Sequence, residues 1–372
     1  MKSAGRRTES TGQVDFILLV IILAMLLFGF VMLFSASSPE ASESGIMRAL
    51  IKQFIITGVG LGAMIVAMTY DYHNYKTKSK AIITAMFIVM IAVPIFGFAS
   101  HGATRQISLG FISFQPSEFA KIAIVIYYAT RYSDKKNQNL TTDRRNIAIS
   151  FGFMLAFCAT CLLQKHMSAA IILALISIMM MLVAGFSMKL TVLGGLLLAG
   201  VGSIFIFTEE YRANRILALF KPFEYKRGIG WQIVQSLFAV GSGGLFGLGL
   251  GQSRQKYQYL PEVQNDYIYA VICEELGFIG GIAVIALFVL FIWRGMSIAL
   301  NAKDRFGMLM AFGITSIVGL QMLINIGVVL SILPSTGMQL PLFSSGGSSM
   351  LATLWGMGIL LNISKSSKVK KI

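Results

Sequence analysis

Phe16-Ile-Leu-Leu-Val-Ile-Ile-Leu-Ala-Met-Leu-Leu-Phe-Gly-Phe-Val-Met-Leu-Phe34 runs for nineteen residues without a charge, a proline or a polar side chain. At about 1.5 Å per residue, a helix of about 20 such residues crosses the hydrocarbon core of a bilayer. The apolar core of a signal peptide stops at about 15 residues. The stretch therefore reads as a retained span, although Ala36-Ser37-Ser38 behind it has the small residues of a cleavage site. Working outward, nine further apolar runs follow, at roughly 49–69, 81–99, 117–131, 146–164, 168–186, 189–208, 267–293, 308–333 and 344–363. The fourth is the least regular, because it begins with Ser117, Glu118 and Lys121. The expected fold is an all-α polytopic membrane protein with about ten transmembrane helices, forming one membrane domain over residues 1–372.

Composition agrees. Of the 372 residues 56% are hydrophobic and 13% charged, with a mean hydropathy of +0.74. A soluble domain carries about 25% charged residues, and a disordered chain is far more polar. The net charge of +15 comes from 31 Lys and Arg against 16 Asp and Glu. Most of these cations fall at alternate helix ends: the tail 1–14, Lys76 to Lys80, Arg131 to Arg145, Lys189, Arg294 to Arg305 and the tail 364–372. Positive charge marks the cytoplasmic side, so both termini are expected there. The charge is a topology signal, and no soluble basic domain exists to bind nucleic acid. Cys158, Cys161 and Cys273 all lie in apolar runs and read as buried small hydrophobes.

On this topology, six of the seven prolines and the one long connection, 209–266, lie on the outer side. So long a loop is functional or disordered, and its aromatic and apolar content argues against disorder. Trp231 to Phe238 reads as an amphipathic helical turn or two along the membrane surface. Gly241 to Gly251 is glycine-dense, but no strand precedes it and no Gly-Lys-Ser/Thr closes it, so it reads as flexible or re-entrant backbone, not a nucleotide loop. Asp266 falls where the chain returns to the membrane; a plain helix cap and a working acid are both open readings. Glu274 and Glu275 lie two turns deeper, where ionisable groups are functional or paired. Counting a continuous helix from Asp266 puts Glu274 within about 80° of it, facing a shared cavity, and turns Glu275 toward a neighbouring helix.

Four stretches together resemble the SEDS family (shape, elongation, division and sporulation), the RodA/FtsW/SpoVE group. They are Gly102-Ala-Thr-Arg105-Gln-Ile-Ser-Leu-Gly with Gln115-Pro-Ser-Glu118-Phe-Ala-Lys121; Gln232-Ile-Val-Gln-Ser through Gly251; Gln255-Lys-Tyr-Gln-Tyr-Leu-Pro-Glu262 with Asn265-Asp266; and Asn325-Ile-Gly with Leu333-Pro-Ser-Thr-Gly337, Leu340-Pro341 and Ser344-Ser-Gly-Gly-Ser348. The likeness covers nearly the whole chain. Ser253-Arg-Gln-Lys-Tyr257 is more similar to the division-type FtsW branch than to RodA. One turn departs from the pattern: where the family commonly carries a Pro-Asp step after the fifth helix, this chain reads Gln164-Lys-His-Met-Ser168. No role of that carboxylate carries over, and His166 reads first as a polar cap or interface group.

The resemblance implies a peptidoglycan glycosyltransferase that polymerises lipid II into glycan strands at the outer face, working beside a class B penicillin-binding protein and other division proteins. It assigns the essential acid to Asp266 and matches Arg105, Glu118 and Lys121 to family positions. Chemistry fits this. A carboxylate suits the base that deprotonates an attacking sugar hydroxyl, with Glu262 as second choice, and Asp266 at a helix start is expected to be ionised at neutral pH. A leaving diphosphate needs cations, for which Arg105, Lys121, Arg215, Arg254 and Lys256 are candidates. Glu118 and Lys121, three apart on one helix face, either pair structurally or act directly. Ser117, after Pro116, reads as that helix's cap. No metal cage is visible, though a divalent cation (Mg²⁺ or Mn²⁺) bridging Asp266 and the diphosphate is compatible with these residues. The loop 333–348 either turns tightly or lines the cavity beneath Asp266. Rival readings are a lipid II flippase, which would more often show two matching halves with broken helices, an elongation-type polymerase, and a non-catalytic division scaffold.

Overall fold

Apolar runs bounded by charged or Gly- and Pro-rich turns fold as helices, since in a bilayer a helix satisfies its own backbone. The computed structural model describes residues 12–37, 43–100, 103–108, 113–133, 143–207, 210–225, 228–257 and 259–367. Twelve helices and three short strands appear among them: α1 (Phe16–Ser37), α2 (Glu43–Thr69), α3 (His73–Phe96), β1 (Phe98–Ser100), β2 (Ala103–Ser108), β3 (Ser113–Phe114), α4 (Pro116–Ser133), α5 (Arg144–Leu163), α6 (Met167–Ala184), α7 (Met188–Phe207), α8 (Glu210–Phe220), α9 (Trp231–Ser242), α10 (Ile268–Leu300), α11 (Arg305–Val329) and α12 (Gly347–Ser366). The ten longest coincide with the ten apolar runs. Seven are long and apolar enough to cross a membrane: α1, Leu50–Thr69 of α2, α3, α5, α6, α10 and α11. Helix α4 is not among them. It carries Glu118, Lys121 and Arg131, and it tolerates them by packing in the middle, against α3, α6, α11 and α12.

A small sheet, antiparallel in the order β1-β2-β3, is added to the all-α membrane fold. Its strands are two to six residues long, too short for an alternation to stand out. It closes the connection between α3 and α4 and aims Arg105 inward. Ser348, at the start of α12, fixes its end: the Gln115 N–H donates to Ser348 Oγ (2.8 Å), and that hydroxyl donates to Ser113 O (2.8 Å).

Within the expected loop 209–266 the chain forms two helices and a re-entrant segment. Helix α9 does not merely lie on a surface. Its inner face (Ile233, Val234, Ser236, Ala239) is buried, and the Ser236 hydroxyl donates to Val329 O of α11 (2.8 Å). The glycine-dense stretch is re-entrant rather than loose. Helix α10 breaks at Gly277 (φ 69°, ψ −165°), and the stretch fills the break. In an unbroken helix Glu274 O and Glu275 O would accept from Phe278 and Ile279. Here Leu248 N–H and Gly249 N–H donate to those two carbonyls (3.0 Å each), while Phe278 N–H and Ile279 N–H donate to Gly244 O (2.8 Å) and Leu245 O (3.2 Å). The approach demands glycine: a Cβ on Gly247 (φ 81°) would lie 2.1 Å from Glu275 O, and one on Gly277 2.4 Å from Gly247 N.

At the opposite end of the bundle Asp15 caps α1 through Leu18 N–H (2.9 Å) and accepts from Arg294 Nε of α10 (3.0 Å). This ties the first helix to the broken one.

Candidate functional site

The described residues of four connections meet at one end of the bundle: those within 97–115, 164–166, those from α8 to Tyr267, and 330–346. Together they enclose a cavity of about 830 Å³. Arg105, Glu118, Lys121, Lys165, His166, Arg215, Glu262 and Asp266 line it, with Pro334 to Gln339 along one wall. The loop after α11 is thus a cavity wall as well as a turn.

Asp266 is half-buried in this wall. It is not a helix cap: the N-cap of α10 is Tyr267, without a side-chain capping bond. Its backbone is clamped instead. Asn325 Nδ2 of α11 donates both to Asp266 O (2.8 Å) and to Met338 O (2.6 Å), and Asp266 N–H donates to Glu262 O (3.0 Å). Among the described residues the carboxylate accepts no hydrogen bond. Gly337 (φ 68°) lies opposite, where a Cβ would sit 3.4 Å from Asp266 Oδ2. Removal from water, reinforced by the nearby Glu262 charge and only partly offset by Arg215 and Arg105, pushes the Asp266 pKa up to about 7. This corrects the expectation of a fully ionised group. Helix-dipole stabilisation does not govern here, because the residue precedes the helix rather than capping it.

The cations are anchored around it. An Arg105 Nη2 N–H donates to Lys165 O (2.9 Å), and an Arg215 Nη1 N–H donates to Ser335 O (2.8 Å). Lys121 Nζ and Glu118 Oε2 are 2.6 Å apart in the cavity floor. Ser117 does not cap α4; it sits in the first turn, with Oγ 3.2 Å from His166 Nδ1. Glu262 adopts a left-handed φ of 55° and accepts from Asn265 Nδ2 (2.6 Å).

Comparison with known proteins agrees with this architecture. The model of the FtsW/RodA/SpoVE family, described as cell cycle proteins, matches residues 16–369. The chain belongs to this family. It is 39% identical over 360 residues to stage V sporulation protein E of Bacillus subtilis, covering 95% of this chain and 98% of that one. It is 36% identical over 369 residues to a probable peptidoglycan glycosyltransferase FtsW of Geobacter sulfurreducens, covering 98% of each. Its fold is similar to a chain in a peptidoglycan synthase complex that coordinates polymerization and crosslinking (TM-score 0.80, 24% identity, 96% of this chain and 99% of that one). It is likewise similar to Thermus thermophilus RodA (TM-score 0.72, 24% identity, 96% and 98%). This FtsW/RodA/SpoVE chain is accordingly a multi-pass membrane protein.

Three of the residues singled out in its sequence lie away from the cavity. Glu274 turns to the loop after the re-entrant segment, where Oε2 accepts from Ser253 Oγ (2.5 Å) and Oε1 from Arg254 N–H (3.0 Å). Lys256 is sealed, with Nζ donating to Gly251 O (2.8 Å), Ser35 O (3.1 Å) and Glu275 Oε1 (3.2 Å). Arg254 has an exposed side chain and takes part through its backbone. Glu275 does reach a neighbouring helix, accepting from Ser35 Oγ of α1 (2.6 Å). Asn325, which clamps Asp266, and His166 were not singled out as site residues. A lone Asn in an apolar run is the signal for the first, since a polar group at that depth needs partners.

Proposed function

We propose that this chain is a peptidoglycan glycosyltransferase that polymerises lipid II into glycan strands, and that the cavity is its active site, on the outer face of a ten-span protein with both termini in the cytoplasm. One observation carries the reading: a half-buried carboxylate without a hydrogen-bond partner among the described residues, Asp266, borders a cavity of about 830 Å³ that also holds Arg105, Lys121 and Arg215. The donor in such a reaction is a sugar on a lipid diphosphate. The acceptor hydroxyl attacks the anomeric carbon, the carbon–oxygen bond to the diphosphate breaks, and the hydroxyl proton goes to a base. With its pKa raised to about 7 by burial and the Glu262 charge, Asp266 exchanges a proton readily near neutral pH and holds a transferred one well, the compromise a general base needs. Arg105 and Arg215 meet the diphosphate oxygens as flat, always-charged donors, and Lys121 as a point charge. Glu118 positions Lys121. Glu262 tunes Asp266 through like charge. Among the described residues no three His, Cys, Asp or Glu converge on a metal position; a divalent cation would rest on Asp266 and Glu262 plus diphosphate oxygens, and would neutralise the leaving group.

A broken helix is the mark of a transporter, and α10 is broken. Its freed carbonyls, however, already accept from Leu248 and Gly249, so the break does not present them to a transported ion. The same purified chain decides between the readings. Given lipid II in liposomes with a class B penicillin-binding protein, it forms glycan polymer, and Asp266→Ala lowers that output by at least about a hundredfold without unfolding. Unchanged polymer from the variant removes Asp266 as base. Lipid II crossing the bilayer with no polymer formed makes the protein a flippase. The division-type role is read from septal against sidewall position of a fluorescent fusion.

A further inference from the structure

His166 is a buried polar side chain of the cavity that this scheme leaves unused. It lines the cavity and is 7% exposed. Its Nδ1 lies 3.2 Å from the hydroxyl of Ser117, which is fully buried and has no other partner among the described residues. A buried hydroxyl hydrogen needs an acceptor, and the Nδ1 lone pair is the one in reach. Ser117 therefore donates to Nδ1, and the ring's own hydrogen sits on Nε2. Nε2 has no protein partner among the described residues, yet it is not among the side-chain atoms sealed without one. It opens into the cavity. Burial, with the charges of Arg105 and Lys121 beside it, drives the imidazole pKa down to about 3. The ring stays neutral, and Nε2 stays a donor, throughout the neutral range.

A fixed donor in the same cavity as two nearby cations is complementary to an anionic oxygen. We propose that His166 is a substrate-positioning residue whose Nε2–H, oriented by Ser117, donates to an oxygen of the lipid-linked diphosphate beside Arg105 and Lys121. The identity of that anion rests on the glycosyl-transfer reading. Neutrality has a use here: the diphosphate must leave after each transfer, and a hydrogen bond directs it without adding to the grip of Arg105, Arg215 and Lys121. Lys165, the neighbour in the same turn, contributes by another route, its left-handed backbone (φ 53°) turning the carbonyl that holds Arg105.

The test measures binding of sugar-free undecaprenyl diphosphate to the full-length protein in detergent, a readout that needs no turnover. His166→Ala weakens this affinity about tenfold, the scale of one hydrogen bond to a charged group. His166→Gln, whose amide N–H reaches the place of Nε2, recovers most of it. Ser117→Ala falls between, because the ring loses the partner that fixes its tautomer. In polymerisation assays the KM for lipid II rises by the same factor and kcat falls far less. Unchanged diphosphate affinity in His166→Ala overturns the proposal. So does a loss in the Ala and Gln variants alike that tracks a collapsed unfolding transition, since that marks a packing role. A loss confined to lipid II, with sugar-free lipid bound normally, moves the contact to the sugar and overturns the assignment to diphosphate. Ser117→Ala keeps the ring, so it carries the comparison if alanine at 166 does not fold. If the parent makes no polymer while His166-dependent diphosphate binding persists, the transferase reading falls and this contact stands.

Discussion

Among the described residues two lysine–glutamate pairs lie buried, and they differ in what is left over. Lys256 and Glu275 are 3.2 Å apart, with both side chains 0% exposed. An ammonium has three hydrogens, and Lys256 uses all of them, on Ser35 O, Gly251 O and Glu275. Glu275 is equally occupied, accepting also from Ser35 Oγ and Ser253 N–H. Lys121 and Glu118 are closer, at 2.6 Å, but among the described residues Lys121 Nζ has this one partner, and both residues border the cavity. The same two functional groups serve architecture where all three ammonium hydrogens are matched, and under the proposed function they face a ligand where some are open.

The sharpest way to break this comparison is Lys256→Met. Removing one partner from a sealed pair strands the other charge and costs about 3–5 kcal/mol; unfolding in detergent should show it, and a variant as stable as the parent would sink the distinction. Lys121→Met should behave in the opposite sense. Polymer formation falls about a hundredfold, equivalent to about 2.7 kcal/mol of barrier. The unfolding midpoint moves less than for Lys256→Met, because Glu118 can turn to water in the cavity.

The pH profile tests the open side alone. Only the ionised form of Asp266 accepts a proton, so kcat/KM should drop about tenfold per unit below pH 7 and level off above it. A flat profile between about pH 5.5 and 8 would exclude Asp266 as the titrating base. The smallest effect belongs at the far end of the bundle, where Asp143 caps α5 by accepting from Arg145 N–H (3.3 Å). Asp143→Ala should cost about 1 kcal/mol of stability and leave glycan output as it is.

Hydropathy made the ten long helices legible, because lipid requires each run to satisfy its own backbone. Helix α4 was the least legible, since burial against four neighbours lets it keep charges that a lipid-facing helix excludes. In the site, Asp266, Arg105, Arg215 and Glu262 could be found as charges in connections that converge. Glu274 could not be placed by counting around a helix from Asp266. The chain from Glu262 to Tyr267 is a turn with a left-handed residue, so helical phase begins only at Ile268. Lys256 was chosen for its sign, but its fate is set by Ser35, 221 residues away, and no local pattern records that partner. His166 was legible as a departure from the family turn; its orientation depends on Ser117 across the bundle.

The exchange of hydrogen bonds between the glycine segment and the halves of α10 has a consequence for biosynthesis. A helix interrupted at Gly277 would enter hydrocarbon with open amides and carbonyls, which a bilayer does not accept. Residues 244–249 leave the ribosome before 274–279, so the patch is translated ahead of the gap it covers. Insertion must therefore deliver both to the membrane together, as one folded hairpin, and a substitution that expels the glycines should be met by the cell's quality control before any glycan chemistry is at stake.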